Sequence, residues 1–222
     1  MVTRFGGFVV IAILAVGFFT SGFQHPADAQ ELSSLESSYL SGIRQVTDGF
    51  VKAGEGYFSP DGKQIIYQAV RQEYPFYQIY TQPLKGGTPR LISTGRGRTT
   101  CSYFSPDGKR CATVGQDGLI ILWDVATGTI SNRLRGHEGY VKTVAYAPDG
   151  KQLASGGQDG TVRHWQVADG KMIRQMAHGA PVTALAVRPD GLRIVSTSDN
   201  KTIKLWNAAD GKQVVELKGN FR

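Results

Sequence analysis

The chain has 222 residues, of which 41% are hydrophobic and 19% charged, and its formal net charge is +7. That balance supports a packed core, excludes bulk disorder, and suits one large all-β domain or two small ones. Glycine, at 28 residues, signals many tight turns.

The first thirty residues differ from the rest. Arg4 is the only charge ahead of a run from Phe5 to Phe19 that has no polar side chain. Ala27 and Ala29 then stand at −3 and −1 relative to Gln30, the small residues that a signal peptidase pocket admits. Residues 1–29 therefore read as an export signal cleaved before Gln30, with an uncleaved membrane anchor as the alternative. After cleavage the chain is expected to keep no integral span. Arg4 and Asp28 cancel, so the mature charge is also +7. Outside the cytoplasm that charge fits acidic proteins, anionic glycans or lipid head groups rather than nucleic acid; a generally basic, solvated surface is the alternative. Residues 30–41 read as a linker, and residues 42–47, with Ile43 and Val46, as a lone outermost strand.

From residue 48 the chain repeats. Phe58-Ser59-Pro60-Asp61-Gly62 recurs as Phe104-Ser105-Pro106-Asp107-Gly108, as Tyr146-Ala147-Pro148-Asp149-Gly150, and as Val187-Arg188-Pro189-Asp190-Gly191. The prolines lie 46, 42 and 41 residues apart, and Trp123, Trp165 and Trp206 follow at spacings of 42 and 41. Two landmarks with one period mark a structural repeat. Each unit reads as four short strands. In the third, Val141–Ala147, Gln152–Gly156, Thr161–Val167 and Lys171–Ala177 alternate with turns rich in Asp and Gly. Four-stranded units at this period predict propeller blades, and no sustained 3.6-residue apolar period supports helices.

Cys101 and Cys111 fall in one predicted hairpin. An exported chain can hold a disulfide there. A turn centred on Pro106-Asp107-Gly108 would set Tyr103 opposite Cys111, leaving the thiols diagonal, so two buried free thiols are the alternative.

The last three units resemble WD repeats over residues 95–220. In that family a buried tetrad ties a turn to the strand core, and the resemblance places His137, Ser155, Asp159 and Trp165 in it. The Asp accepts from the imidazole, the imidazole bonds the hydroxyl, and the hydroxyl meets the indole N–H. The fourth unit keeps His178, Ser196 and Trp206 but has Asn200 for Asp. The second keeps Thr113, Asp117 and Trp123 and has Gly95 for His. Both units are expected to be held less firmly than the third. The Trp-Asp pair itself occurs once, as Trp123-Asp124. The first unit, residues 48–94, lacks Trp, and its Ile79-Tyr80 and Gly86-Gly87 resemble the propeller unit of TolB-type periplasmic proteins.

The expected fold is therefore all-β, a propeller with about four blades: 48–94, 95–135, 136–177 and 178–219. The last unit has its own outer strand in Gln213–Lys218, so the strand at 42–47 has no blade to complete, and Leu217-Lys218-Gly219-Asn220 aligns with Leu134-Arg135-Gly136-His137. An incomplete ring, lacking ~3 blades of a longer propeller, is expected, with a tight four-bladed ring as the alternative.

Catalytic signatures are missing. There is no Gly-x-Ser-x-Gly elbow, no phosphate loop and no Cys-x-x-Cys-His, so no enzyme, cofactor or metal site is expected in this segment. His164 stands where Leu122 and Leu205 stand in neighbouring units and is expected between blades. The resemblance implies partner binding at one rim, near the start of each innermost strand and in the second turn. Aligned by repeat, the strand-start positions are Lys52, Arg98, Tyr140 and Pro181, followed two residues on by Gly54, Thr100, Lys142 and Thr183; the turns add Gln116, Gln158 and Asp199. Lys52, Arg98, Tyr140 and Lys142 form a basic, aromatic lip suited to a protein partner. The expected function is an exported interaction scaffold. The alternatives are the front of a longer exported enzyme, carrying a peptidase or c-type cytochrome domain, and a TolB-like envelope protein.

Overall fold

The structure is a computed structural model that describes residues 49–94 and 97–219; the expected signal segment, linker and lone outer strand lie outside these residues. The described chain is all-β. Strands β1 (Lys52–Phe58), β2 (Gln64–Arg71), β3 (Tyr74–Pro83) and β4 (Arg90–Leu91) form the first sheet. Strands β5 (Thr99–Phe104), β6 (Arg110–Gly115), β7 (Ile120–Asp124) and β8 (Ile130–Leu134) form the second. The third contains β9 (Val141–Tyr146), β10 (Gln152–Gly157), β11 (Thr161–Gln166) and β12 (Met172–Ala177). The fourth contains β13 (Val182–Val187), β14 (Arg193–Ser198), β15 (Thr202–Asn207) and β16 (Gln213–Lys218). Each sheet is antiparallel with its strands in sequence order, which is the connectivity of a propeller blade.

The repeated pentapeptide makes the first hairpin of each blade. In the second blade, the Ser105 hydroxyl donates to Asp107 at 2.6 Å, Asp107 accepts from Lys109 N at 3.0 Å, and Gly108 takes φ 70°. A side chain carrying Cβ is strained at that angle, which explains the glycine. Ser105 N donates to Arg110 O at 2.8 Å, so four residues make the loop, not three. The expected register is corrected accordingly: Phe104, not Tyr103, lies opposite Cys111, Tyr103 lies opposite Ala112, and Cys101 lies opposite Val114.

That register also settles the cysteines. Cys111 packs with Ile66, Ile121 and Trp123 between the first two blades, whereas Cys101 packs with Val114, Val141 and Val144 between the second and third. The thiols sit on opposite faces of one sheet and are free. The candidate disulfide is overturned, because no side-chain rotation brings together groups that a sheet separates. Burial pushes both thiols up to about 12, so they behave as small apolar groups and not as nucleophiles.

The cores lie between blades. Ile66, Ile79, Cys111 and Trp123 fill the first seam. Val114, Leu122, Leu153 and Trp165 fill the second, and Ala154, Val162, Ile194 and Trp206 fill the third. Each tryptophan faces the preceding blade. Burying a side chain such as Leu153, which is fully enclosed, contributes about 1.5–3 kcal/mol. Inner strand β5 packs on β9, β9 on β13 and β1 on β5, and the four sheets do not close into a ring. On the face of the fourth sheet turned away from the third, Ile203 pairs with Leu217 and Leu205 with Val215, and the last two outer-strand side chains are exposed.

Candidate functional site

Antiparallel pairing brings the start of each inner strand beside the turn between the second and third strands. Gln116 N donates to Arg98 O at 3.1 Å, Gln158 N to Tyr140 O at 2.7 Å, and Asp199 N to Pro181 O at 3.0 Å. The same backbone bond in three successive blades holds the rim residues in an array at one end. Lys52, Arg98, Gln116, Gln158 and Asp199 are exposed, and Tyr140 is half-buried. Lys142 is not a free cation. Its Nζ pairs with Asp199 Oδ2 at 3.1 Å, bridging the third blade to the fourth. Both residues were expected separately on the rim, and among the described residues Lys52 and Arg98 are the lip's cations without an ion pair. Such an exposed ion pair is worth about 0–1 kcal/mol, so it orients the two blades more than it stabilises them.

Beneath the rim lies the tetrad. In the third blade it is complete. Trp165 Nε1 donates to Ser155 Oγ at 2.8 Å, Ser155 Oγ lies 2.7 Å from His137 Nε2, and His137 Nδ1 lies 2.9 Å from Asp159 Oδ2. Burial holds His137 below its ordinary range against the opposing pull of Asp159, which keeps the imidazole neutral. Its Nδ1–H donates to the carboxylate, which can only accept, so Nε2 accepts from the Ser155 hydroxyl. Burial alone would raise Asp159, but His137 and Thr161 outweigh it and hold the carboxyl low. Arg163, which the sequence reading missed, donates to Asp159 Oδ2 at 3.3 Å and to Thr161 Oγ1 at 3.2 Å. Its signal was a charge two residues before the tryptophan, on the same strand face. Gly157 is also part of the device: a Cβ there would sit 2.6 Å from His137 Nδ1 and 2.8 Å from Asp159 Oδ1.

The other two blades keep part of it. Trp123 Nε1 donates to Thr113 Oγ1 and Trp206 Nε1 to Ser196 Oγ, both at 2.8 Å. Asp117 accepts from Leu119 N at 3.1 Å, a bond within its own turn. Gly95 lies outside the described residues. In the fourth blade the expected grouping of Asn200 with His178 is corrected. Asn200 Oδ1 accepts from the hydroxyls of Ser198 and Thr202. His178 Nε2 meets the backbone oxygen of Ser196 at 3.4 Å, and its buried Nδ1 has no partner. Ser198 occupies the repeat position of Gly157, where in the third blade a Cβ would crowd the histidine. The first blade uses other bonds, Ser93 to Gln78 at 2.6 Å and Tyr67 to Gln82 at 3.0 Å.

His164 is buried, its Nδ1 also without a partner, on the face turned to the fourth blade. Burial, and then the charge of Arg174, hold it below the ordinary imidazole range. Among the described residues no three His, Cys, Asp or Glu are grouped to hold a metal ion, and no helix is long and apolar enough to cross a membrane.

A family model described as "WD domain, G-beta repeat" matches residues 90–124, 128–166 and 170–207, about half of the chain. The human WD repeat-containing protein 86 is 39% identical over 56 residues, which make up 25% of this chain. That segment spans 15% of the relative's length. The matched residues begin in the last strand of the first sheet.

Proposed function

The chain belongs to the WD domain, G-beta repeat family, and from that premise we propose that it is an exported scaffold that binds protein through its rim. WD repeat proteins generally act as protein-interaction scaffolds. The observation that carries the reading is the backbone bond, repeated in three blades, that fixes each second turn to the start of an inner strand. It presents Arg98, Tyr140 and the exposed glutamines as an ordered surface. Arginine and tyrosine are the residues that concentrate binding energy at interfaces. Lys52 and Arg98, together with the net charge of +7, favour an acidic partner surface. Binding of this kind weakens as salt rises. Export is supported by the apolar run Phe5 to Phe19 followed by Ala27 and Ala29.

The test uses the immobilised chain and an Arg98→Glu/Tyr140→Ala variant. Both should melt alike, and a partner captured by the first should be lost by the second. Equal capture removes the rim proposal. Cell fractionation with N-terminal sequencing tests export: a chain outside the cytoplasm should begin at Gln30, and an intact Met1 terminus recovered inside the cell would refute it.

A further inference from the structure

Two of the three histidines among the described residues, His164 and His178, are buried at the seam between the third and fourth blades. His164 lies on the face of β11 that also carries Val162, and Val162 packs with Val182, Ile194 and Trp206 of the fourth blade. His178 stands where one blade hands over to the next. Its N–H donates to Gly160 O at 2.8 Å, and its ring lies edge-on to Trp206 with centroids 6.2 Å apart. Each ring has a buried Nδ1 with no hydrogen-bond partner. His137, at the seam between the second and third blades, has both nitrogens bonded, one to Ser155 and the other to Asp159.

The closed seam has no place for added positive charge. Arg174 is the cross-strand partner of His164, so the two side chains leave the same face of the sheet with Cβ atoms about 5 Å apart. The buried Nε of Arg174 has no partner either, and among the described residues the guanidinium makes no ion pair. Asp149, in the turn before β10, is the carboxylate whose charge reaches His164, and its Oδ1 already accepts from Lys151 N at 2.9 Å. Beside His178 stand Lys204 and Glu216, which pair with each other at 3.6 Å. The fourth blade's turns touch the third at Gly191 and Gly211. Their charges are taken up locally, Arg188 by Asp190 and Lys212 by Asp210.

We propose that this seam is an acid-sensitive joint: protonation of His164 and His178 releases the fourth blade while the first three stay packed. A proton on His164 in the closed seam faces the Arg174 guanidinium and finds no new acceptor. In the opened seam both rings meet water and titrate near their ordinary value, about 6.5. Opening therefore takes up protons. It is favoured as pH falls below about 6.5, by up to ~10-fold per pH unit for each histidine, and is not favoured above it. Opening also parts Lys142 from Asp199, so acid removes the fourth blade's share of the rim.

Hydrogen exchange on the whole chain, corrected for the intrinsic effect of pH, tests the joint at about pH 7.5 and about pH 5.5, either side of the ordinary imidazole value. The opening equilibrium of β13–β16 should rise ~100-fold, ~10-fold from each histidine, while β5–β8 keep their protection. His164→Leu, which restores the residue of the second and fourth blades, should cut the rise to ~10-fold. No rise in the fourth blade, an equal rise in every blade, or the full rise retained in His164→Leu overturns the proposal. Imidazole signals of the unaltered chain supply a measurement that needs no variant. His164 and His178 should stay neutral until the amides of β13–β16 lose protection. Protonation near pH ~6.5 with those amides still protected overturns the joint.

Discussion

The third and fourth blades carry histidine, serine and tryptophan at the same repeat positions, yet only the third joins them into one network. In the third, His137 bridges Ser155 and Asp159. In the fourth, His178 turns to a backbone oxygen and leaves a buried nitrogen bare. Two substitutions separate them. Asn200 replaces the carboxylate, and Ser198 replaces the glycine that lets the ring approach. The hydroxyl of Ser198 then captures Asn200 for the turn. A shared motif is therefore not a shared interaction; the residue with no side chain decides whether the others can meet.

The largest expected difference between the blades comes from the central hydroxyl. Ser155→Ala strips a partner from both Trp165 and His137 and should cost about 2–6 kcal/mol, because each stranded buried group costs about 1–3 kcal/mol. Ser196→Ala strips only Trp206 and should cost about half as much. Denaturant melts of the two variants compare them directly, and equal losses would break the contrast.

Repair should run the other way. Ser198→Gly combined with Asn200→Asp should raise stability by about 1–2 kcal/mol by giving His178 Nδ1 an acceptor. Asn200→Asp alone should leave thermal stability within about 0.5 kcal/mol, since the serine still blocks the ring. A full gain from the single change would show that charge, not space, is the missing element.

Acid should loosen the seams around these histidines. Burial first of all depresses His137, His164 and His178 below the ordinary imidazole range. The folded chain keeps them neutral, while the unfolded chain takes up protons below about pH 6.5. Stability is therefore full above that pH and declines as pH falls from it toward the depressed folded values. Asp159, also held low, adds its loss only at lower pH. His164→Leu restores the residue of the neighbouring units and should flatten the decline in melting temperature between about pH 7 and 5. An unchanged slope would mean that His164 takes up protons equally in the folded and unfolded chain.

The smallest expected effect is at Lys201, which takes φ 63° where the two preceding blades have Gly118 and Gly160. Lys201→Gly should raise stability by about 0.5–1 kcal/mol in thermal melts, relieving a left-handed backbone that costs an L-residue about 1 kcal/mol.

Much of the fold was legible because the repeat writes it twice, once in Pro-Asp-Gly turns and once in tryptophans. A period of 42 and 41 residues fixes where sheets recur, and alternation within each unit fixes which side chains face a seam. The hairpin register was not legible, since Pro106-Asp107-Gly108 serves a three-residue or a four-residue loop, and only the Ser105–Arg110 bond distinguishes them. That one-residue difference placed Phe104 opposite Cys111. Of the candidate site, the spacing of tryptophan and hydroxyl residues was legible. The pairing of Lys142 with Asp199 was not, because the partners lie 57 residues apart and meet only across blades. Nor was the effect of Ser198, a residue of β14 that the repeat alignment left unremarked.

Hydrogen exchange tests the central claim, that the space and charge beside each histidine set the firmness of its blade. Amides of β14 and β15 should exchange faster than those of β10 and β11, and should slow toward them in the Ser198→Gly/Asn200→Asp chain. Equal protection in the unaltered chain, or no slowing in the repaired one, would contradict the account.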